Sequence, residues 1–200
     1  MKKLIPLLIS LSFLFACGNQ ESASEKGNQT DTLSLFRNFI KKFPIRQLPI
    51  SKHLCENAFP EQNLETITET DSIFSGNDSY GRPCWGLLPD TSEYYYVIWT
   101  IPADDIIPAF AIFDKKGKKL KEEYIIVGRC DCGGPCYMCN DDFIISKDYS
   151  IFPVDTFWTY DCDTLYNILD STKTQISILY KTGQIKGGNI KMSQEIKRDL

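Results

Sequence analysis

The hydrophobic positions of this chain follow three different spacings, and each spacing predicts a different kind of element. Residues 4–16 form a mostly apolar run without a charge. A second group recurs every three or four residues, as one face of an α-helix does; it consists of Leu35, Phe36, Phe39, Ile40 and Phe43. From Tyr94 onward, aromatic and β-branched residues cluster in short runs typical of β-strands. Residues 45–90 show no clear period and are interrupted by prolines, so we expect irregular packing there.

The helical spacing predicts an amphipathic helix near the N-terminus. Asp31 and Thr32 can cap its start, and Pro44 ends it because proline cannot continue a helix. Charged residues fall off the apolar stripe, for example Arg37 and Lys41. We expect the stripe to pack on the domain core. A helix lying on a membrane surface is the alternative for such a pattern.

The third pattern predicts consecutive strands joined by short loops. We expect them at 94–101, 107–113, 120–127, 143–146, 149–152, 154–160, 174–180 and 184–192. Residues 107–113 are apolar throughout, which predicts a strand covered on both faces. The lysine-rich run 115–121 is expected to be a solvated hairpin end, with Gly117 supplying the positive φ. Short connections favour an antiparallel meander. The predicted fold class is α+β, mainly β, with the N-terminal helix packed on the sheet.

The first apolar run has the length of a signal-peptide core. It is too short to cross a bilayer, which takes about 20 helical residues, and Lys2 and Lys3 precede it. It ends in Leu14-Phe15-Ala16-Cys17, which resembles the lipobox of bacterial lipoproteins. The resemblance implies removal of residues 1–16 and acylation of Cys17. An ordinary secretory signal with a cysteine near its cleavage site is the alternative.

The lipobox resemblance implies a lipid-anchored cell-envelope protein, expected at the outer membrane on its periplasmic or surface face. Residues 17–30 are expected to form the lipidated N-terminus and a flexible tether, because 18–30 are almost entirely polar. Residues 31–200 then form a single β-rich globular domain. The turn and strand patterning around 43–49, 113–118 and 180–185 also resembles small uncharacterised lipoproteins of Bacteroidota. That resemblance implies a β-rich envelope domain and no particular activity.

Charge and composition narrow the range of partners. The formal net charge is −4, and it becomes −6 when Lys2 and Lys3 leave with the signal peptide. Nucleic-acid binding usually needs a basic face, so no nucleic-acid partner is expected. The chain has 12 Phe, 10 Tyr and 3 Trp, which favours a packed domain over a disordered stalk.

The eight cysteines carry the densest chemistry of the chain. Apart from Cys17, they are the disulfide candidates Cys55, Cys84, Cys130, Cys132, Cys136, Cys139 and Cys162. Their odd number leaves at least one thiol unpaired, and their pairing stays open. In an exported chain, residues 130–139 are best interpreted as a disulfide-stapled loop. A four-cysteine metal site and a redox site are the alternatives, because Cys132-Gly133-Gly134-Pro135-Cys136 resembles the thioredoxin motif with one residue too many.

Other candidate catalytic groups are weak. His53 is the only histidine and adjoins no nucleophile motif, so it is expected to be a surface or packing residue. Carboxylates are paired at Asp104-Asp105, Asp141-Asp142 and Asp161/Asp163, near predicted strand ends where Asp favours turns. We therefore expect no enzyme activity, no cofactor and no metal.

Two aromatic groups, 94–99 and 157–160, could present rings to sugars or peptides, although strand alternation places about half of such rings in the core. The predicted function is a lipid-anchored, non-catalytic binding or structural module of the cell envelope. Its partners are expected to be the membrane, through the lipid, and an envelope protein or glycan. The alternatives are a thiol- or metal-dependent envelope enzyme using residues 130–139, and a glycan-binding surface module.

Overall fold

A computed structural model describes residues 24–54, 63–102, 106–128, 130 and 133–200, with only the backbone described for 24–30, 102 and 106. Three cysteines lie outside the described residues, namely Cys17, Cys55 and Cys132, as do Asp104, Asp105 and the proposed signal peptide.

The described part of the chain contains two α-helices, two short 3-10 helices (Glu69–Asp71 and Asn77–Ser79) and eleven strands. The α-helices are α1 (Ser24–Lys41) and the single-turn α2 (Ser72–Ser75). The strands are β1 (Ile50–His53), β2 (Cys84–Leu87), β3 (Tyr95–Pro102), β4 (Ile106–Phe113), β5 (Lys119–Tyr124), β6 (Tyr137–Ile145), β7 (Ser150–Cys162), β8 (Ile168–Tyr180), β9 (Gly183–Lys186), β10 (Asn189–Met192) and β11 (Ile196–Asp199).

The strands form two antiparallel sheets. The small sheet has the order β2-β3-β4-β5, and the large sheet has the order β1-β6-β7-β8-β11, with the β9–β10 hairpin joined to β7 through β9. The predicted α+β, mainly β class is confirmed. The meander is present as two separate runs, β2–β5 and β6–β8, whereas β1 and β11 complete the large sheet from distant parts of the chain.

The small sheet is buried on both faces. On one face, α1 supplies Phe36 and Phe39, which pack on Phe113 in a cluster that also contains Trp99. On the other face, Phe110 of β4 packs with residues of the large sheet. The expectation that 107–113 is covered on both sides is therefore confirmed. Its alternate residues enter two different hydrophobic cores, which explains why every position is apolar.

The N-terminal helix packs through its aromatic residues as predicted, but Leu35 of the predicted stripe is 42% exposed and Phe43 lies beyond the helix, which ends at Lys41. The start of the helix also differs from the prediction. It begins at Ser24, seven residues before Asp31, so residues 24–30 are helical where a flexible tether was expected. Extending an existing helix adds one hydrogen bond per residue fixed, and Glu25 and Lys26 are good helix formers. The polar composition of residues 24–30 therefore does not indicate where the helix begins.

Candidate functional site

The large sheet has two unlike faces. Its inner face packs on the small sheet, while the opposite face is here called the outer face. The strand register places seventeen side chains on the outer face: Ser51, His53, Met138, Asn140, Asp142, Ile144, Phe152, Val154, Thr156, Trp158, Tyr160, Thr174, Ile176, Ile178, Tyr180, Ile196 and Arg198. Among the described residues, none of them belongs to either buried hydrophobic cluster.

Ten of the seventeen outer-face side chains are aliphatic or aromatic, although the described core does not cover this face. Met138, Trp158 and Ile176 lie next to one another in one row across the sheet. Val154, Tyr180 and Ile196 lie next to one another in a second row, two rows away from the first. Met138 is 55% exposed and Ile196 is 40% exposed. Only Asp142 and Arg198 carry full charges on this face. An apolar patch of several hundred Å2 on a soluble domain usually marks a binding surface.

Contacts between neighbouring side chains hold the aromatic rings of the outer face in place. The rings of Phe152 and Tyr180 have centroids 5.5 Å apart, and the guanidinium of Arg198 lies 5.5 Å from the Tyr180 ring centroid. The hydroxyl of Tyr160 donates to the sulfur of Met138 at 3.6 Å. Rings that are already positioned lose less rotamer entropy when a partner binds.

His53 lies at the β1 end of the outer face, where Asp142 of β6 is its partner. The distance between His53 Nδ1 and Asp142 Oδ1 is 2.9 Å, and the two side chains are 27% and 37% exposed. The Asp141-Asp142 sequence pair is thus divided between the two faces, since consecutive strand residues point in opposite directions. Asp142 is an outer-face residue, and Asp141 points inward.

A pair of acidic residues that the sequence did not predict lies on the inner face. Asp141 of β6 is directly opposite Asp155 of β7, and they are only 8% and 0% exposed. Burial raises the pKa of Asp155 to about 6, and hydrogen bonding with the Asp141 side chain and the Cys130 backbone offsets only part of that effect. Among the described charged groups, Glu195 raises this pKa further and Lys181 lowers it.

Gly128 closes the chain over this acidic pair. Its φ is +48°, and a Cβ at this position would lie 2.2 Å from Asp155 Oδ2. Its backbone N–H donates to Glu195 Oε2 at 3.1 Å. Only glycine fits here, because both the backbone conformation and the close approach exclude a side chain.

Two disulfides stabilise the same end of the large sheet. Cys130 pairs with Cys139, and Cys136 pairs with Cys162. The first bond ties the segment after β5 to β6, and the second ties the chain just before β6 to the end of β7. The predicted disulfide-stapled loop is therefore present for these four cysteines, although β6 already begins at Tyr137 inside it.

The structure corrects three interpretations of the cysteines. Cys84 is a free, fully buried thiol in the core beneath α1, and burial raises its pKa to about 12. It was a disulfide candidate, but its side chain faces the helix layer among apolar neighbours. The four-cysteine metal site would need Cys130, Cys136 and Cys139 as thiolates, and these three are in disulfides. The thioredoxin-like interpretation paired Cys132 with Cys136, which is bonded to Cys162 instead.

The two aromatic groups behave differently. Tyr96 and Trp99 of the first group are buried in the cores on opposite faces of the small sheet. In the second group, Trp158 and Tyr160 lie on the outer face, and Phe157 faces inward. An open cleft of about 460 Å3 adjoins Tyr160 at the far end of β7 and β8, with Asp161 and Lys173 in its lining.

Comparison with known proteins gives no relative. No protein-family model, no curated protein and no solved structure matches the chain. Within the residues that the structure describes, no helix has the length and apolar character needed to cross a membrane, and no three His, Cys, Asp or Glu side chains are grouped as a metal site.

Proposed function

We propose that this protein is a lipid-anchored cell-envelope protein that works as a non-catalytic binding or structural module, and that it binds its partner through the outer face of the large sheet. The disulfides support a compartment outside the cytoplasm, where such bonds persist. The lipobox resemblance at 14–17 supports the anchor, with the outer membrane as its site. Two or more acyl chains hold a protein on a membrane far more firmly than one.

One observation carries the binding role: the outer face is mostly apolar and aromatic where no described part of the fold covers it. Most of its side chains are hydrophobic, yet none of those described enters a buried cluster. When one face of an antiparallel sheet is solvated, its residues are normally polar and alternate along each strand with apolar residues on the covered face. The pattern is therefore best explained by a partner that covers this face in the envelope.

The anchor is tested by growing cells with labelled palmitate. We expect label on the full chain and none on a Cys17→Ala variant. Label on both, or on neither, would contradict lipidation at Cys17.

The binding role is tested by recovering the lipidated full chain from solubilised envelopes together with whatever it binds. A Trp158→Glu variant places a charge between Met138 and Ile176 on the outer face, and we expect it to lose the partner. Leu165→Glu is the matched control, because Leu165 is 78% exposed in the turn between β7 and β8 and lies off this face. Equal recovery by both variants would argue against the outer face.

A glycan is the second candidate partner, because Trp158 and Tyr160 lie side by side on the open face next to the cleft at 159–161 and 173–175. Aromatic rings offer flat apolar surfaces to sugar rings. A glycan array should then show binding by the native chain and no binding by the Trp158→Ala variant.

A thiol- or metal-dependent envelope enzyme built on residues 130–139 is the least supported function. Four cysteines are already in disulfides, which leaves fewer thiolates for such chemistry. An activity that disappears on reduction or chelation would be needed to favour it.

A further inference from the structure

We infer that the outer face of the large sheet binds the outer face of a second copy of this chain, so that the protein is a face-to-face dimer. The inference rests on the proposed function, because both use the outer face as the binding surface. It adds that the partner is a second copy of this chain. The large sheet of the second copy would pack on the outer face of the first, about 10 Å away, as the two sheets of a β-sandwich do.

The projected area of the face, before side-chain relief is counted, is about three quarters of what a stable interface takes from each partner. Five strands at about 4.8 Å spacing, with outer-face residues about 6.8 Å apart along each strand, give roughly 600 Å2 before side-chain relief is added. A stable interface takes about 800 Å2 from each partner. A flat area of this size is larger than a small ligand needs, and another sheet face would match its shape.

The charges on the face are arranged for self-association. β7 is the third of the five strands in the order β1-β6-β7-β8-β11. A two-fold axis in the interface along β7 therefore places β11 of one copy against β1 and β6 of the other. This brings Arg198, the one cation of full charge, near Asp142 and its partner His53. Both ends of the interface gain the same opposite-charge pairing, while the apolar rows around Trp158 pack on each other.

Association through the sheet edges is less favourable. The edge strands β1 and β11 have only four residues each. β11 carries Lys197, Arg198 and Asp199, and all its residues are exposed. Short, charged edges resist strand pairing between molecules. The apolar face is therefore the surface through which two copies associate.

The contact is tested by photo-crosslinking of the full lipidated chain in native envelopes. The crosslinking amino acid p-benzoylphenylalanine replaces Thr156, which lies at the middle of the outer face on β7. The control position is Lys116, which is exposed in the hairpin of the small sheet. We expect a product of twice the chain mass, containing peptides of this chain only, from Thr156 and none from Lys116.

Two results would overturn the dimer in distinguishable ways. Crosslinking of Thr156 to a different protein would remove the second copy as partner but leave the proposed binding role standing. Absence of any product from Thr156 would contradict both the dimer and the proposed use of this face.

Charge-swap variants test the two-fold arrangement. The dissociation constant is measured on the lipidated chain in density-matched detergent by sedimentation equilibrium. We expect Arg198→Asp to weaken dimerisation roughly tenfold and the double variant Asp142→Arg/Arg198→Asp to recover most of that loss. Circular dichroism confirms that each variant is folded. Equal dimerisation by native and single-swap chains would overturn the arrangement.

Discussion

The small and large sheets are made of similar β-forming residues, but one is covered twice and the other only once within the described chain. The small sheet lies between α1 and the large sheet, and its residues Val97, Ile98, Ala111 and Ile112 are 0% exposed. In the large sheet, Ile176 and Ile178 of β8 alternate with Gln175 and Ser177, and the two isoleucines are only half-buried because no described element covers their face. Apolar alternation therefore marks a face that will be covered, but it does not say whether the cover is the fold or a partner.

This comparison predicts a large difference between two identical truncations. Ile112→Ala removes a fully buried side chain from the small sheet and should lower the free energy of unfolding by about 2–5 kcal/mol. Ile176→Ala removes the same atoms from the outer face and should cost less than about 1 kcal/mol in the dissociated chain. Urea unfolding of both variants below the dimerisation concentration measures the difference. Similar losses would mean that the outer face is part of the folding core.

The next largest loss in the free energy of unfolding is expected when the Cys136–Cys162 disulfide of the large sheet is removed. Replacing Cys136 and Cys162 by Ser removes a bond that spans 26 residues, and the unfolded chain should gain entropy worth about 3 kcal/mol. The matched control is Cys84→Ser, which removes a thiol without breaking a bond. Urea unfolding of both variants measures the effect. A paired variant as stable as native protein would contradict a structural role for this bond.

The inner face of the large sheet should make stability depend on pH. The pKa of Asp155 is about 6 in the fold against 3.8 for a free side chain. Its contribution to stability is therefore fully present below pH 3.8 and is lost as pH rises through about 6, by up to about 3 kcal/mol.

Asp155→Asn should remove this loss, because asparagine does not ionise. We expect the free energy of unfolding of the native chain to fall relative to the variant between pH 4 and pH 7. The control is Asp148→Asn on an exposed turn. Hydrogen bonds from Ser150 lower the pKa of the Asp148 carboxylate, so its contribution to stability is lost only in acid and the Asn variant should be the less stable chain at neutral pH. Parallel pH profiles for native protein and Asp155→Asn would contradict the assignment.

The smallest effect expected concerns the chemical reactivity of Cys84 and not the free energy of unfolding. Cys84 is 0% exposed and burial raises its pKa to about 12, so the thiolate that alkylating reagents attack is both rare and hidden. Iodoacetamide at pH 8 should leave Cys84 unmodified in native protein and modify it in urea, as peptide mass spectrometry would show. Rapid modification of the native chain would mean that the core beneath α1 opens readily.

Several parts of the fold could be predicted from local patterns. The aromatic positions 36, 39 and 43, the fully apolar strand at 107–113 and the Gly117 hairpin are each encoded within a few residues, and each is present in the structure. The alternation of Ile176, Ile178 and Tyr180 was also read correctly, and these three share a face. β11 was not predicted, because Lys197, Arg198 and Asp199 mask its pattern and only its pairing with β8 makes it a strand.

The functional candidates depended much more on tertiary structure. Asp141 and Asp155 are 14 positions apart and form a pair only because the register of β6 and β7 places them opposite each other. The same register joins Asp142 to His53 from β1, across 89 positions. No local motif marks either pair.

The sequence alone determined the aromatic face of the helix, most of the strands after residue 94, the β-rich class and the expectation of disulfides, because these depend on residue type and short-range spacing. The tertiary structure decided which of the described cysteines are bonded, that Cys84 is not among them, and which face of the large sheet the described residues leave uncovered. Those outcomes depend on distances between residues far apart in the chain. The apolar pattern of β8 is identical whether that face packs inside the molecule or against another molecule, and only the placement of the two sheets distinguishes the two cases.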